Sequence, residues 1–282
     1  MRFERLLVLS MVGLVGCGGE GASDMADEAM SDGPVIREAH YVATDFAFSG
    51  PTEIEEGLIT FVLESPGEIW HHMQLVRLPE GTSFEAFQTA VMETPETALI
   101  GIDEAGGVNP PPPGGPARAT IALTAGEYAV ICLVDVPDHV PHALKGMMAP
   151  LTVTPSDEPM GTLPETEISL QLTDFAFGFS QPLTAGTHTI RVGNIGQQSH
   201  EIAVFRLNPG VALEDVFAWA MTFDGPPPMV AVGGVPGIEP GVETNIELDL
   251  MAGDYVALCF LPDENGGGIH AELGMVLPFT VS

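Results

Sequence analysis

Along the chain, apolar side chains recur in short runs that either alternate with polar ones or are nearly continuous, each closed off by Gly, Pro or acidic residues. Ile59-Thr60-Phe61-Val62-Leu63, Gln74-Leu75-Val76-Arg77-Leu78 and Tyr128-Ala129-Val130-Ile131-Cys132 are of this kind, and so are residues 188–192, 202–207 and 255–260. Runs of this length and period predict β-strands. Two stretches carry the helical period instead. Phe84, Phe87 and Val91 stand at i, i+3 and i+7 behind Ser83, a good N-cap; Leu213, Val216 and Ala220 repeat the spacing with Trp219 alongside. Pro110 to Pro113 and Pro226 to Pro228 predict extended, polyproline-like loops. Many short strands with turn residues between them, and one helix per half, predict an all-β Greek-key sandwich or barrel.

The pattern occurs twice. Asp45-Phe46-Ala47-Phe48 returns as Asp174-Phe175-Ala176-Phe177, and the same offset relates His71 to His200 and Arg77-Leu78 to Arg206-Leu207. A slightly shorter offset relates Ala125-Gly126-Glu127-Tyr128-(x)3-Cys132 to Ala252-Gly253-Asp254-Tyr255-(x)3-Cys259, then His142 to His270 and Gly146-Met147 to Gly274-Met275. Solenoid repeats run to about 20–50 residues, far short of this period, which marks a duplicated domain. The predicted organisation is two domains, residues 35–153 and 166–282, joined by an acidic, Pro-containing linker at 154–165.

Composition narrows the partners. With 39 acidic against 8 basic residues the net charge is −31, and Lys145 is the only lysine. Such a surface repels nucleic acid and anionic lipid. It serves solubility, or it steers the chain toward a cationic partner such as a basic cytochrome.

The amino terminus reads as an address. Arg2 and Arg5 precede a short apolar run from Leu6 to Val15, too short to span a membrane, and Leu14-Val15-Gly16-Cys17 closes it. That ending resembles the bacterial lipobox, which implies a signal peptide over residues 1–17, cleavage before Cys17 and a lipid anchor on its thiol. Gly18 after the cysteine implies forwarding to the outer membrane, facing the periplasm or the cell surface. Residues 18–34 are Gly, Ala, Ser, Asp and Glu with two Met, a final Pro and no aromatic, a composition that makes a flexible tether.

Two cysteines remain, one per repeat at matching positions, so no disulfide framework forms within a domain. In an oxidising compartment a lone thiol persists when buried or metal-bound. Each repeat keeps one early His, then one Cys, one His and one Met. These are the donors of a mononuclear copper site with thiolate, two imidazoles and a weak axial thioether. Cysteine with two histidines suits zinc as well.

These residues resemble the cupredoxin family, the plastocyanin- and azurin-like copper proteins, over nearly all of each repeat. The first-ligand signature is similar to Asn194-Ile195-Gly196-Gln197-Gln198-Ser199-His200, kept as Gly67-Glu68-Ile69-Trp70-His71 in the first copy, where Glu64-Ser65 replace the Asn. The closing signature, Gly-x-Tyr-(x)3-Cys followed by a loop with His and Met, appears at 126–147 and 253–275. The resemblance implies one copper ion per domain, serving one-electron transfer or copper handling. Its ligands would be His71, Cys132, His142 and Met147, then His200, Cys259, His270 and Met275. The rival is a non-redox scaffold that uses the same fold for protein contact, with zinc or no metal.

Two departures matter. Nine residues, Leu133 to Pro141, and ten, Phe260 to Ile269, separate Cys from the next His, where copper-binding cupredoxins have only a few. Ligation by His142 and His270 therefore requires these loops to fold back. Multicopper oxidases and copper nitrite reductases place His beside the thiolate Cys, whereas here the neighbours are Ile131 and Leu133, and Leu258 and Phe260, and no His-x-His pair occurs. The expectation is an electron carrier or metal-binding protein rather than a catalyst. Strand alternation points His72 away from His71, with Glu201 in its place in the second copy. His40, His139 and His188 are expected outside the sites, Trp70 in ordinary packing, and Met73, Met148 and Met221 as packing residues.

Overall fold

The computed structural model describes residues 34–282. The signal peptide, the lipobox Cys17 and the tether up to residue 33 lie outside the described residues. In the first repeat β1 (Ile36–Thr44), β2 (Ala47–Ser49), β3 (Glu53–Glu55) and β4 (Gly57–Glu64) lead to β5 (Met73–Arg77). After α1 (Phe84–Glu93) and the one-turn α2 (Pro95–Ala98) come β6 (Asp103–Val108), β7 (Ala117–Leu123), β8 (Gly126–Ile131) and β9 (Met148–Thr154). The second repeat runs β10 (Ile168–Thr173), β11 (Ala176–Phe179), β12 (Gly186–Asn194), β13 (His200–Leu207), α3 (Leu213–Ala220) and β14 (Met229–Ile238). It ends with β15 (Glu243–Leu250), β16 (Gly253–Leu258) and β17 (Val276–Val281). The strands expected from the apolar runs are all present. Ser83 caps α1 as expected, its hydroxyl accepting from the Ala86 N–H, and the apolar stripe buries Phe87 and Val91.

These strands form two mixed sheets. One is ordered β11-β10-β12-β15-β7-β4-β1-β2, the other β17-β16-β13-β14-β6-β5-β8-β9-β3. Both cross from one repeat to the other, so each repeat is a sandwich of its half of each sheet. In the first sheet β15 pairs antiparallel with its own counterpart β7, placing Ile246 opposite Ala119, Asn245 opposite Thr120 and Glu247 opposite Arg118. Ile246 and Ala119 are equivalent positions of the two repeats. The repeats thus meet about a pseudo-two-fold axis at that pair, as in an isologous dimer. One continuous core cluster results, running from Ile59 and Leu75 through Ile121 and Val235 to Ile246 and Tyr255.

The second joint pairs β6 with β14 at Ala105 and Ile238, and a doublet of glycines in each of these strands sets its approach to its own neighbour. Gly106-Gly107-Val108 recurs as Gly233-Gly234-Val235, and both doublets have positive φ. A Cβ on Gly107 would stand 1.8 Å from the Met73 carbonyl oxygen, and one on Gly234 1.9 Å from that of Ile202. Only glycine lets these bulged strands approach so closely.

The segment between the repeats carries no strand or helix and is pinned to the second one: Arg191 donates to the carbonyls of Leu163 and Pro164, and Asn245 to that of Pro164. The Pro-rich loops also carry no regular element. Met73 and Met148 are buried as expected, but Met221 is 73 % exposed. It follows the last residue of α3, on the turn that leaves the helix, so the apolar period that buries Val216 and Trp219 no longer directs it inward.

Candidate metal centres

In each repeat the first candidate His sits where a strand meets the end of the sandwich, two residues before β5 at His71 and at the first residue of β13 for His200. The Cys follows β8 or β16 directly. The long loops do fold back, by the same device twice. The Ala143 N–H donates to the Cys132 carbonyl at 2.7 Å and the His142 N–H to that of Val134 at 2.9 Å; Ala271 to Cys259 (2.8 Å) and His270 to Leu261 (2.9 Å) repeat the closure. The excess residues bulge out between Val134 and His142, and between Leu261 and His270. Beyond the loop His a tight turn closes on Gly146 or Gly274, both of positive φ. The Met147 and Met275 N–H groups then donate back to the His142 and His270 carbonyls at 3.0 and 2.9 Å.

The side chains converge accordingly. His71, Cys132 and His142 form one group and His200, Cys259 and His270 another, with the donor atoms of each group within 4.8 Å of one another. The Nδ1 atoms of the two histidines are 3.1 Å apart in both groups. From Cys Sγ to the loop-His Nδ1 is 3.5 Å in the first and 3.3 Å in the second. All six side chains are buried, as are Met147 and Met275, which lie in the core cluster that holds the cysteines.

The remote nitrogens show why Nδ1 is the free donor. His200 Nε2 lies 3.0 Å from Asp174 Oδ1, and His270 Nε2 3.1 Å from Gln198 Oε1. Gln198 is oriented without ambiguity: its Nε2 donates to Asp263 while its Oε1 accepts from the Glu264 N–H. Both Nε2 atoms therefore carry the proton. In the first group His142 Nε2 lies 2.9 Å from the Val136 carbonyl. Burial, and then the neighbouring imidazole, holds His71 and His270 down at about 4, and burial lowers His142 as well. In the second group the two Nδ1 atoms face each other at 3.1 Å, with the Cys259 sulfur 3.3 Å from that of His270. Burial pushes the Cys132 thiol up to about 12 and Cys259 in the same direction. Converging imidazole nitrogens and a buried sulfur match the donor set of a soft-to-borderline metal ion. A bound cation would convert both thiols to thiolates.

The other histidines fall outside the groups. His72 turns away from His71 as expected and accepts the Leu133 N–H at 2.7 Å, and Glu201 does the same for Phe260 at 2.6 Å. His139 stacks on Phe223, His40 lies by Glu38, and His188 bonds the Thr184 carbonyl. Trp70 packs on Phe205 and Trp219 of the other repeat.

Sequence reasoning used the Asp-Phe-Ala-Phe motif only as a marker of the repeat. The structure gives it a function. Phe46 and Phe175 sit at positive φ in the β1–β2 and β10–β11 turns, which lays their rings 5.0 and 5.2 Å from His142 and His270. Asp174, one residue earlier, orients His200. The signal that could have found this was a repeated motif with no strand or helix reason to be kept. Gln198 was also missed.

No protein-family model matches the chain, and no curated protein matches its sequence. Among solved structures, auracyanin from Roseiflexus castenholzii, in its dithionite-reduced form, matches over 40 % of this chain and 94 % of its own, with 22 % identity and a TM-score of 0.30. A multicopper oxidase matches over 90 % of this chain and 91 % of its own (15 % identity, TM-score 0.27). A copper-containing nitrite reductase from Thermus scotoductus matches over 88 % of this chain and 61 % of its own (13 % identity, TM-score 0.25). The chain itself holds two β-sandwich repeats that share both sheets, each with a His-Cys-His group that could hold a metal ion.

Two of these neighbours are enzymes, and that corrects the expectation of a carrier rather than a catalyst. The argument against an enzyme used only the residues flanking Cys132 and Cys259. Flanking residues bear on one way of wiring a thiolate site to a second copper; they do not exclude catalysis.

Proposed function

We propose that each repeat binds one copper ion through His71, Cys132, His142 and Met147, or His200, Cys259, His270 and Met275, and that the bound ions serve one-electron transfer. The observation that carries this reading is the second group, where both histidines commit Nε2 to an acceptor and turn their Nδ1 atoms to each other at 3.1 Å beside Cys259. Copper supplies a one-electron couple. The protein holds its ligands in a buried, rigid set that need not reorganise between oxidation states. In the same reading Cys17 is acylated, anchoring the chain to the envelope, with the outer membrane as its destination. The acidic surface meets a cationic redox partner.

The test is loading of the chain with copper. Two equivalents per chain and strong visible absorption from the thiolate are expected. A colourless protein that takes zinc instead, or neither metal, overturns copper electron transfer and leaves the scaffold reading. Mass analysis of the membrane-extracted protein checks acylation at Cys17.

A further inference from the structure

A cleft of about 1300 Å³ opens between the two repeats, and none of the candidate metal ligands lines it. Much of its wall is built from the excess residues of the two Cys-to-His loops, Val134 to Val136 and His139 of the first and Leu261 to Glu264 of the second. Two strongly exposed apolar side chains, Ile100 and Met221, also face it. The remaining wall is largely aromatic. Trp70 lies 5.2 Å from Phe205 and 5.7 Å from Trp219, and Trp219 lies 5.1 Å from Phe223, ring centre to ring centre. His139 stacks on Phe223 at 4.1 Å and ties the first loop to this wall. The fold does not require these rings: where the second repeat has Phe205, Trp219 and Phe260, the first has Val76, Ala90 and Leu133 at the equivalent positions.

Seven carboxyl side chains line the same cleft, and no lysine or arginine does. Among the described residues none of the seven takes part in an ion pair. Glu104 belongs to the first repeat but lies against β14 of the second, where it is 7 % exposed and its backbone N–H donates to Glu239 Oε1 at 3.3 Å. A Cβ on Gly237 would stand 2.5 Å from both oxygens of the Glu104 carboxylate, so only glycine at that point of β14 admits the group. Like charges gathered behind low-dielectric walls focus a negative potential into the space they enclose. A cation within about 6 Å of an aromatic face is attracted by the ring quadrupole, the more so where water is excluded. Both features select positive charge, and the apolar area selects a body to carry it.

We propose that this cleft binds a small organic cation, an amine or quaternary ammonium compound with an aromatic or bulky apolar body. The ammonium group lies toward Glu104 and Glu239, and the body packs on Trp70 and Trp219. Small-molecule pockets commonly enclose roughly 300–1,000 Å³, so a cleft of this size takes a compound much larger than the simplest ammonium ions. A basic polypeptide would supply the charge but enter as a thin side chain, leaving most of the aromatic wall uncovered. The inference is independent of the copper reading, because no candidate metal ligand lines the cleft. It also gives the residues that bulge out between each Cys and His a role of their own.

Trp70 and Trp219 are the only tryptophans of the chain, so their fluorescence reports on the cleft directly. The metal-free full chain is titrated in mildly alkaline buffer of fixed ionic strength with benzyltrimethylammonium, with neutral benzyl alcohol and with the phenylacetate anion. The cation should change the tryptophan emission saturably, at one site per chain, and bind at least about tenfold more tightly than the alcohol; phenylacetate should not bind. Equal affinity for cation and alcohol, or a response to the cation that never saturates, overturns the proposal. Tetralysine should leave the emission unchanged. Saturation by tetralysine at a lower concentration than by benzyltrimethylammonium hands the cleft to a basic polypeptide and overturns the proposal as well. Glu104→Gln combined with Glu239→Gln should weaken the cation about tenfold and leave benzyl alcohol unaffected. A native affinity for the cation in the folded double variant overturns the site as drawn, and the titrations of the parent decide the matter even if that variant does not fold.

Discussion

The two metal groups share their donors and their 3.1 Å separation of Nδ1 atoms, yet they are held differently from behind. In the second repeat side chains do the orienting: Asp174 takes His200 and Gln198 takes His270. In the first, His142 leans on the Val136 carbonyl, and Asp45 acts on His71 only through its charge. The cysteines differ as well, with neutral His72 behind one and Glu201, backed by Glu104, behind the other. Duplication kept the donors, whose geometry the fold dictates, and let their supports diverge. One group can therefore be tuned by side-chain substitution, and the other largely cannot.

The largest expected effect removes a group altogether. Cys132→Ser and Cys259→Ser should each cost about one copper per chain and the colour belonging to that site, because the thiolate is the strongest donor in the set. Copper content by elemental analysis checks it; a double serine variant with undiminished copper would refute both sites.

Next in size, and selective for one repeat, is the loss of a supporting side chain. Gln198→Leu should weaken copper at the second site roughly 10–100-fold, the usual cost of losing such a partner, and leave the first unchanged. Asp45→Asn should do much less at the first site. Competition with a chromogenic chelator in the single-cysteine variants measures both, and equal losses would dissolve the contrast drawn between the groups.

A third expectation concerns the junction. Glu104 is buried, and burial, reinforced by Glu201 and Glu239, raises its carboxyl to about 7. A folded value above the unfolded one means that its stabilising contribution is complete below about 4.5 and is lost as pH climbs through about 7. Glu104→Gln should thus gain on the parent as pH rises from 4.5 to 8, by no more than about 3 kcal/mol. Urea unfolding of the metal-free proteins at several pH values checks the sign. A constant difference would mean the group titrates as an exposed one.

The smallest effect concerns the surface. If the charge of −31 steers a basic cytochrome, electron exchange should slow modestly with salt, because exposed charges are screened beyond a Debye length of about 8 Å at 0.15 M. A flat stopped-flow series assigns the charge to solubility.

Much of this protein was legible in one dimension. Strand periods, the Ser83 cap, the repeat and the eight candidate donors are local or near-local signals, because a strand's alternation and a ligand's residue type are written where they act. His72 could be turned away from its neighbour on the same ground. Spacing could not say whether nine or ten residues after a cysteine would return a histidine. That was decided by two hydrogen bonds between loop and strand end, at Ala143 and His142 and again at Ala271 and His270. Nor could it show the sheets running through both repeats, since pairing of β7 with β15 depends on two edges far apart in the chain meeting about an axis. The glycine doublets and the Phe46 and Phe175 turns belong to the same kind of information. Each is a residue whose reason lies in a neighbour brought close by tertiary packing alone.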